Sequence, residues 1–232
     1  CIRDRFSINT MYLCDMSNSG ENQRKVAEFL LRIKAIQLSP ENPFTWASGR
    51  KSPIYCDNRR ILSHPEIRTF VRQLATEKIE ERFGKPEAIA GVATGGIALG
   101  ALIAQDLGLP FIYVRASVKA HGTGQRIEGD YSGFSSVFVI EDLISTGKSS
   151  LSAVDALRKA GLEVKGLLAF FTYGFGDSVE RFKNSECQYF TLTDYPTMLE
   201  EASRSGYITE AQKEDLDSWS SDPVAWSESR DK

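Results

Sequence analysis

Histidine is almost missing from this chain: only His64 and His121 occur in 232 residues. Cysteine is scarce too, at positions 1, 14, 56 and 187, with no Cys-x-x-Cys pair. The two shortages argue against a zinc site and against a disulfide framework, so reduced thiols and no protein-built metal cage are expected. Basic excess is also lacking. Lys plus Arg number 28 against 31 acids, a net charge of -3, which speaks against a general nucleic-acid binder. No apolar run reaches the length of a membrane span. The opening CIRDRFSINTMYLCDM has no basic start, apolar stretch and small-residue cleavage site. Residues 1–19 are therefore expected to form a polar, unstructured extension of a cytoplasmic protein.

What remains can build a core, since 41% of the residues are hydrophobic. No internal repeat or low-complexity tract interrupts it. ENQRKVAEFLLRIKAI (21–36) spaces Val26, Phe29, Leu30, Ile33 and Ile36 as one helix face. FTWASGRKSPIYCDNRR (44–60) is short-strand material broken by Ser48-Gly49 and Ser52-Pro53, and reads as a hairpin-like hood. Ser63-His64-Pro65-Glu66 reads as a capping box opening a helix to about Phe83. Beyond Pro86, apolar strands (87–93, 110–114, 137–141, 164–173, 188–192) alternate with helices (95–108, 148–161, about 177–184). That rhythm predicts a parallel sheet covered on both faces. Residues 115–136 break it, with little apolar periodicity and several charges. A loop of that size in a compact domain is usually functional, and a ribbon plus a lid is expected. The piece 207–226, with Thr209 as its cap, reads as a peripheral helix and tail.

The chemistry concentrates in VFVIEDLISTGKSS (137–150). A Walker A loop would need glycine at 142, where Asp142 stands and would repel a phosphate tail. A dinucleotide fingerprint is absent here and in ATGGIALG (93–100). An ordinary strand–turn–helix is the bland alternative, but two adjacent acids at the end of an apolar strand need partners. A sugar phosphate satisfies both ends. Backbone N–H groups of 145–149 form a phosphate cup at the helix start, joined by the hydroxyls of Ser145, Thr146 and Ser149. Glu141 and Asp142 can accept from ribose hydroxyls and stabilise positive charge developing on the ring. In RASVKAHGTGQRIEG (115–129), Arg115, Lys119 and His121 place cations on a glycine-hinged segment suited to an anion. The helix start at Gly95-Gly96 offers a second anion site or simply close packing. For Tyr55, Cys56 and Asp57, edge packing and a base pocket stand about even.

The acid pair followed by a hydroxyl- and glycine-rich turn resembles the phosphoribosyl-pyrophosphate (PRPP) signature of type I phosphoribosyltransferases. The hood stretch 44–60 and the Lys119-x-His121-Gly122 loop resemble the orotate phosphoribosyltransferases, over roughly residues 21–210. The resemblance implies an α/β fold of that type: a central, mainly parallel sheet flanked by helices, an N-terminal hood and a flexible catalytic loop. It implies a phosphoribosyltransferase domain over 20–206 (hood 20–62, core 63–206) and a peripheral segment over 207–232. Lys119, His121 and Asp142 would be catalytic. PRPP would be held by Arg115, Lys119, His121 and the run Glu141, Asp142, Leu143, Ile144, Ser145, Thr146, Gly147, Lys148 and Ser149, with Ser145 also meeting orotate. Mg²⁺ would ride on the substrate, with few direct protein ligands. A homodimer sharing its active sites is implied, with Lys119 serving the neighbouring subunit; nucleic acid and membrane are not expected partners.

The chain departs from some members of that family. Ala47 stands where they carry a hood lysine, Thr94-Gly95 where they have Tyr-Lys, and Ala116 where a second loop lysine follows the arginine. FFTYGFGD (170–177) shows no counterpart of their orotate-gripping arginine, and Arg50 or Lys51 is a candidate substitute. The competing readings are a phosphoribosyltransferase for a purine or other base, a regulator that has lost catalysis, and a bare sugar-phosphate-binding module.

Overall fold

The structure, a computed structural model, describes residues 16–46, 48–117 and 126–230. The expected extension over 1–19 lies mostly outside these, and helix α1 already runs from Met16 to Arg32. Its Val26, Ala27, Leu30 and Leu31 are buried, as the helical spacing requires. The hood follows as two antiparallel ribbons: β1 (Ile36–Leu38) pairs with β4 (Ile54–Cys56), and β2 (Phe44–Thr45) with β3 (Lys51–Ser52). A 3-10 helix (Asn58–Ser63) leads to α2 (Pro65–Phe83). The capping box expected at Ser63 does not form. Ser63 closes the 3-10 helix, and His64 occupies the cap position without a side-chain bond, leaving Pro65 at the first turn.

The core alternates β5 (Ile89–Val92), α3 (Gly95–Leu107), β6 (Phe111–Val114), β7 (Ile127–Glu128), β8 (Ser136–Ile144), α4 (Lys148–Lys159), β9 (Glu163–Thr172), α5 (Gly176–Asn184), β10 (Tyr189–Asp194) and α6 (Tyr195–Arg204). The six-stranded sheet has the order β10-β9-β8-β5-β6-β7 and is parallel except where β7 pairs back on β6. That short antiparallel pair is the ribbon expected within 115–136. Strand alternation divides the core. Phe138 and Ile140 of β8 join Leu168 and Phe170 under α1, α2 and α3, whereas Val137 and Val139 join Leu167 and Ala169 under α4 and α5.

Two further helices, α7 (Glu210–Ser221) and α8 (Pro223–Ser229), end the described chain. Thr209 caps α7 in a capping box with Gln212. This segment, expected to be peripheral, is built into the molecule. Trp219 is fully buried against Trp46, Tyr173, Phe175 and Tyr195, and Ser227 Oγ accepts from the backbone N–H of Lys51 at 2.9 Å. Two isolated tryptophans in a polar stretch are a weak sequence signal, yet each buries a large apolar area.

Candidate active site

In open α/β sheets ligands lodge beyond the carboxyl ends of the strands, where the strand order reverses. Here the chain leaves β5 toward β6 on one side, and β8 lies on the other, so the reversal falls between β5 and β8. Asp142 lies near the carboxyl end of β8 at this crevice, and the loop from β5 into α3 forms the opposite wall. The fit is close. A methyl group on Gly95 would collide with the Asp142 carboxylate, and one on Gly96 with the carbonyl of Ile140. Gly91 is equally constrained, since a side chain there would meet the Gly96 carbonyl 2.7 Å away. The glycine pair thus packs tightly on β8 and brings the start of α3 against Asp142. The Ala93–Thr94 peptide in this loop is cis.

Glu141 is buried and faces α4. Its Oε2 accepts from Ser150 Oγ at 2.9 Å and its Oε1 from the Asp142 N–H at 3.0 Å. Burial, with the adjoining Asp142 carboxyl, pushes the Glu141 carboxyl well above the usual range, against the lowering effect of Ser150. Ser150 therefore ties the first turn of α4 to the acid pair. The turn between them reaches α4 through Gly147, whose φ of 75° favours glycine and whose side-chain space is closed by the Phe182 ring at 3.0 Å. No side chain caps α4 and no acid lies in its first turn. Its leading N–H groups are thus without side-chain partners beside the exposed Thr146, Lys148 and Ser149, the arrangement that attracts an anion.

The hood closes the crevice from above. Asn58, buried, donates from Nδ2 to the Asp142 carbonyl at 2.6 Å across 84 positions of sequence. The Cys56 Sγ–H donates to Asn58 Oδ1 at 3.5 Å, and burial followed by the charges of Asp142 and Asp57 pushes this thiol well up. A thiol so placed stays protonated and is a poor nucleophile. Tyr55 is 39% exposed and sits against Phe44, ring centroids 5.7 Å apart, as the hood's open aromatic surface. Trp46 anchors the other side through the Ile54 carbonyl, which accepts from its Nε1 at 3.2 Å, and through its edge on Trp219.

The sequence-predicted residues fall into four groups. Asp142, Ser145, Thr146, Gly147, Lys148 and Ser149 lie together along the crevice, with Glu141 behind them. Leu143 and Ile144, read as part of the PRPP stretch, have side chains that pack on the core, Leu143 partly and Ile144 fully buried, and the Ile144 carbonyl accepts from Thr172 Oγ1 and Tyr173 N–H. Strand β8 runs through Ile144, so these two lie on it together with Glu141 and Asp142. Arg115 stands at the end of β6, its guanidinium 3.4 Å from Glu128 and its backbone N–H donating to the Arg126 carbonyl at 2.8 Å. Arg126 in turn donates to the Arg115 carbonyl and to Ser152 on α4. Lys119, His121 and Gly122 lie outside the described residues. Asn58 and Ser150 were not anticipated. Their only signals were an asparagine inside the hood motif and one more serine beyond the turn.

Among the described residues no group of three or more His, Cys, Asp or Glu could hold a metal ion. The hard oxygens of Asp142 fit a cation carried on a substrate phosphate better than a protein-built cage.

The chain matches the model of the phosphoribosyl transferase domain over residues 57–193. It is 54% identical over 204 residues to the orotate phosphoribosyltransferase of Bacteroides thetaiotaomicron, covering 88% of this chain and 96% of the relative. Among solved structures, the orotate phosphoribosyltransferase of Aeropyrum pernix is 29% identical with a TM-score of 0.69, covering 79% of this chain and 99% of that one. The UMP synthase of Leishmania donovani is 26% identical with a TM-score of 0.72, covering 86% of this chain but 42% of that one.

Proposed function

The chain belongs to the phosphoribosyltransferase family as one of its orotate phosphoribosyltransferases, and we propose the following division of its work. A ring nitrogen of orotate attacks the anomeric carbon of PRPP, the bond from that carbon to pyrophosphate breaks, and orotidine 5′-phosphate and pyrophosphate leave, a step in UMP synthesis. The observation that supports this best is the Asp142 carboxylate set over Gly95 at the strand-order reversal, next to the uncapped start of α4.

In this reading the N–H groups of 145–149 take the 5′-phosphate, helped by the hydroxyls of Ser145, Thr146 and Ser149. Asp142 orients the ribose hydroxyls and stabilises the oxocarbenium-like charge of the transition state. Glu141 keeps Asp142 and the first turn of α4 in register through its bonds to the Asp142 N–H and Ser150. Ser145 reaches the base as well as the phosphate. Arg115, Lys119 and His121 neutralise the departing pyrophosphate and exclude water. Mg²⁺, when bound with the substrate, supplies charge neutralisation on the pyrophosphate, with Asp142 the carboxylate at hand. Hood (20–62), core (63–206) and the closing segment (207–232) are the functional units, and the active protein is a cytoplasmic homodimer whose lids reach into each other's sites.

The deciding experiment is an orotate-consumption assay with and without PRPP and Mg²⁺. Loss of orotate only when both are present is expected. Turnover of hypoxanthine, xanthine or adenine in place of orotate would assign the chain to another base, and binding of PRPP without any turnover would leave only a sugar-phosphate-binding module.

A further inference from the structure

Orotate differs from uracil by one carboxylate, and a carboxylate entering a partly desolvated pocket needs a cation or several donors. The arginine that some relatives place after the fourth strand has no counterpart here. Arg50 and Lys148 are exposed, and nothing among the described residues orients their side chains, whereas several other basic side chains of the hood and core are already engaged. Lys51 Nζ donates to Thr45 Oγ1 at 3.0 Å, Arg60 Nε to the Ile33 carbonyl at 2.9 Å, and Arg115 pairs with Glu128 at 3.4 Å. Arg126 is committed to the Arg115 carbonyl and to Ser152.

Arg59 is different. Asp57 Oδ1 accepts both from its backbone N–H at 3.2 Å and from its Nε at 2.6 Å, which fixes the guanidinium plane from behind. Its two terminal nitrogens donate to nothing among the described residues, and its side chain is 57% exposed. The residue before it, Asn58, is bonded to the Asp142 carbonyl at 2.6 Å, so Arg59 follows directly on the residue that clips the hood to the crevice. Its charge is stabilised first by Asp57 and also by Tyr55 and Asp142. A guanidinium held by Nε with both terminal nitrogens free presents the fork that a carboxylate takes in bidentate fashion.

Resting on the orotate reading above, we propose that Arg59 grips the carboxylate of orotate with its terminal nitrogens and is the residue that distinguishes orotate from uracil. Asp57 is its positioning residue.

The test is steady-state kinetics of Arg59→Gln and Arg59→Lys in the full chain, with orotate and PRPP varied separately and uracil added as a competitive inhibitor. Arg59→Gln is expected to raise the KM for orotate about 10–100-fold, the loss of a charge-assisted pair. The KM for PRPP and the inhibition constant of uracil should stay within about 2-fold, because neither molecule offers Arg59 a carboxylate. Arg59→Lys should recover part of the loss, keeping the charge without the fork. An unchanged orotate KM, a PRPP KM that rises in step, or uracil weakened as much as orotate would each overturn the assignment. Exposure of the side chain keeps the fold out of the result, and a thermal midpoint measured alongside confirms that the variants are folded. If the unaltered protein fails to consume orotate at all, the functional reading falls first and this assignment with it.

Discussion

The turn after β8 and the hood over it are built in opposite ways. The turn is local: acid pair, Gly147 and the start of α4 are consecutive residues, fixed by a strand on one side and a helix on the other. The hood is assembled from afar. Its strands are two or three residues long, its polar link to the crevice comes from Asn58, and its apolar support comes from α7 and α8 at the other end of the chain. The lesson is that the half shared by all substrates of this fold can be written as a motif. The half that we propose chooses the base depends on packing between distant segments, which the motif does not carry.

Variants in the two halves should therefore separate stability from chemistry. The largest effect on folding is expected from the hood's support: Trp219→Ala should cost about 3–5 kcal/mol in denaturant unfolding. At temperatures where the variant is still folded it should weaken orotate use more than PRPP use. Equal losses for both substrates would mean that the two halves are not separable. Asp142→Asn should do the reverse, lowering kcat by roughly 100-fold with an unchanged unfolding midpoint. Unaltered kinetics there would remove Asp142 from its assigned role. Asn58→Ala leaves the Asp142 carbonyl unpaired and should cost about 1–3 kcal/mol, with both KM values rising. A change in one KM only would show that the link does not join the halves.

The smallest effect is a matter of pH. Glu141 has its pKa raised by burial and by Asp142, so the folded state holds this proton more tightly than the unfolded chain does. Its contribution is fully present below the ordinary carboxylate range and is lost as pH rises through the raised value. Glu141→Gln should accordingly be as stable as the parent in mild acid and more stable by a few °C in alkaline buffer, read by thermal melts across pH. A difference that shrinks as pH rises would contradict the assignment of a raised pKa.

Much of this was legible beforehand. The strands of the sheet are nearly all apolar, and β8, β9 and their helices fall within a few residues of where the pattern puts them. The phosphate turn was legible for the reason given above. Helix α6 was not foreseen, although Asp194 caps it by accepting from Thr197 N–H and Pro196 sits in its first turn, a start signal hidden behind an apolar strand. Ser150 and Asn58 escaped because their partners lie in tertiary contact, and no spacing rule connects Asn58 to residue 142. Leu143 and Ile144 entered the phosphate stretch by adjacency, and their side chains pack on the core from opposite faces of β8. The C-terminal tryptophans were underestimated because single large rings in polar surroundings do not form a periodic face.

The Asn58 clip has a mechanical corollary. A loaded jaw whose upper plate is pinned to the lower one at the biting edge cannot open without dragging that edge along. In the proposed reaction, entry of a planar base under the hood would then tug on the main chain that carries Asp142.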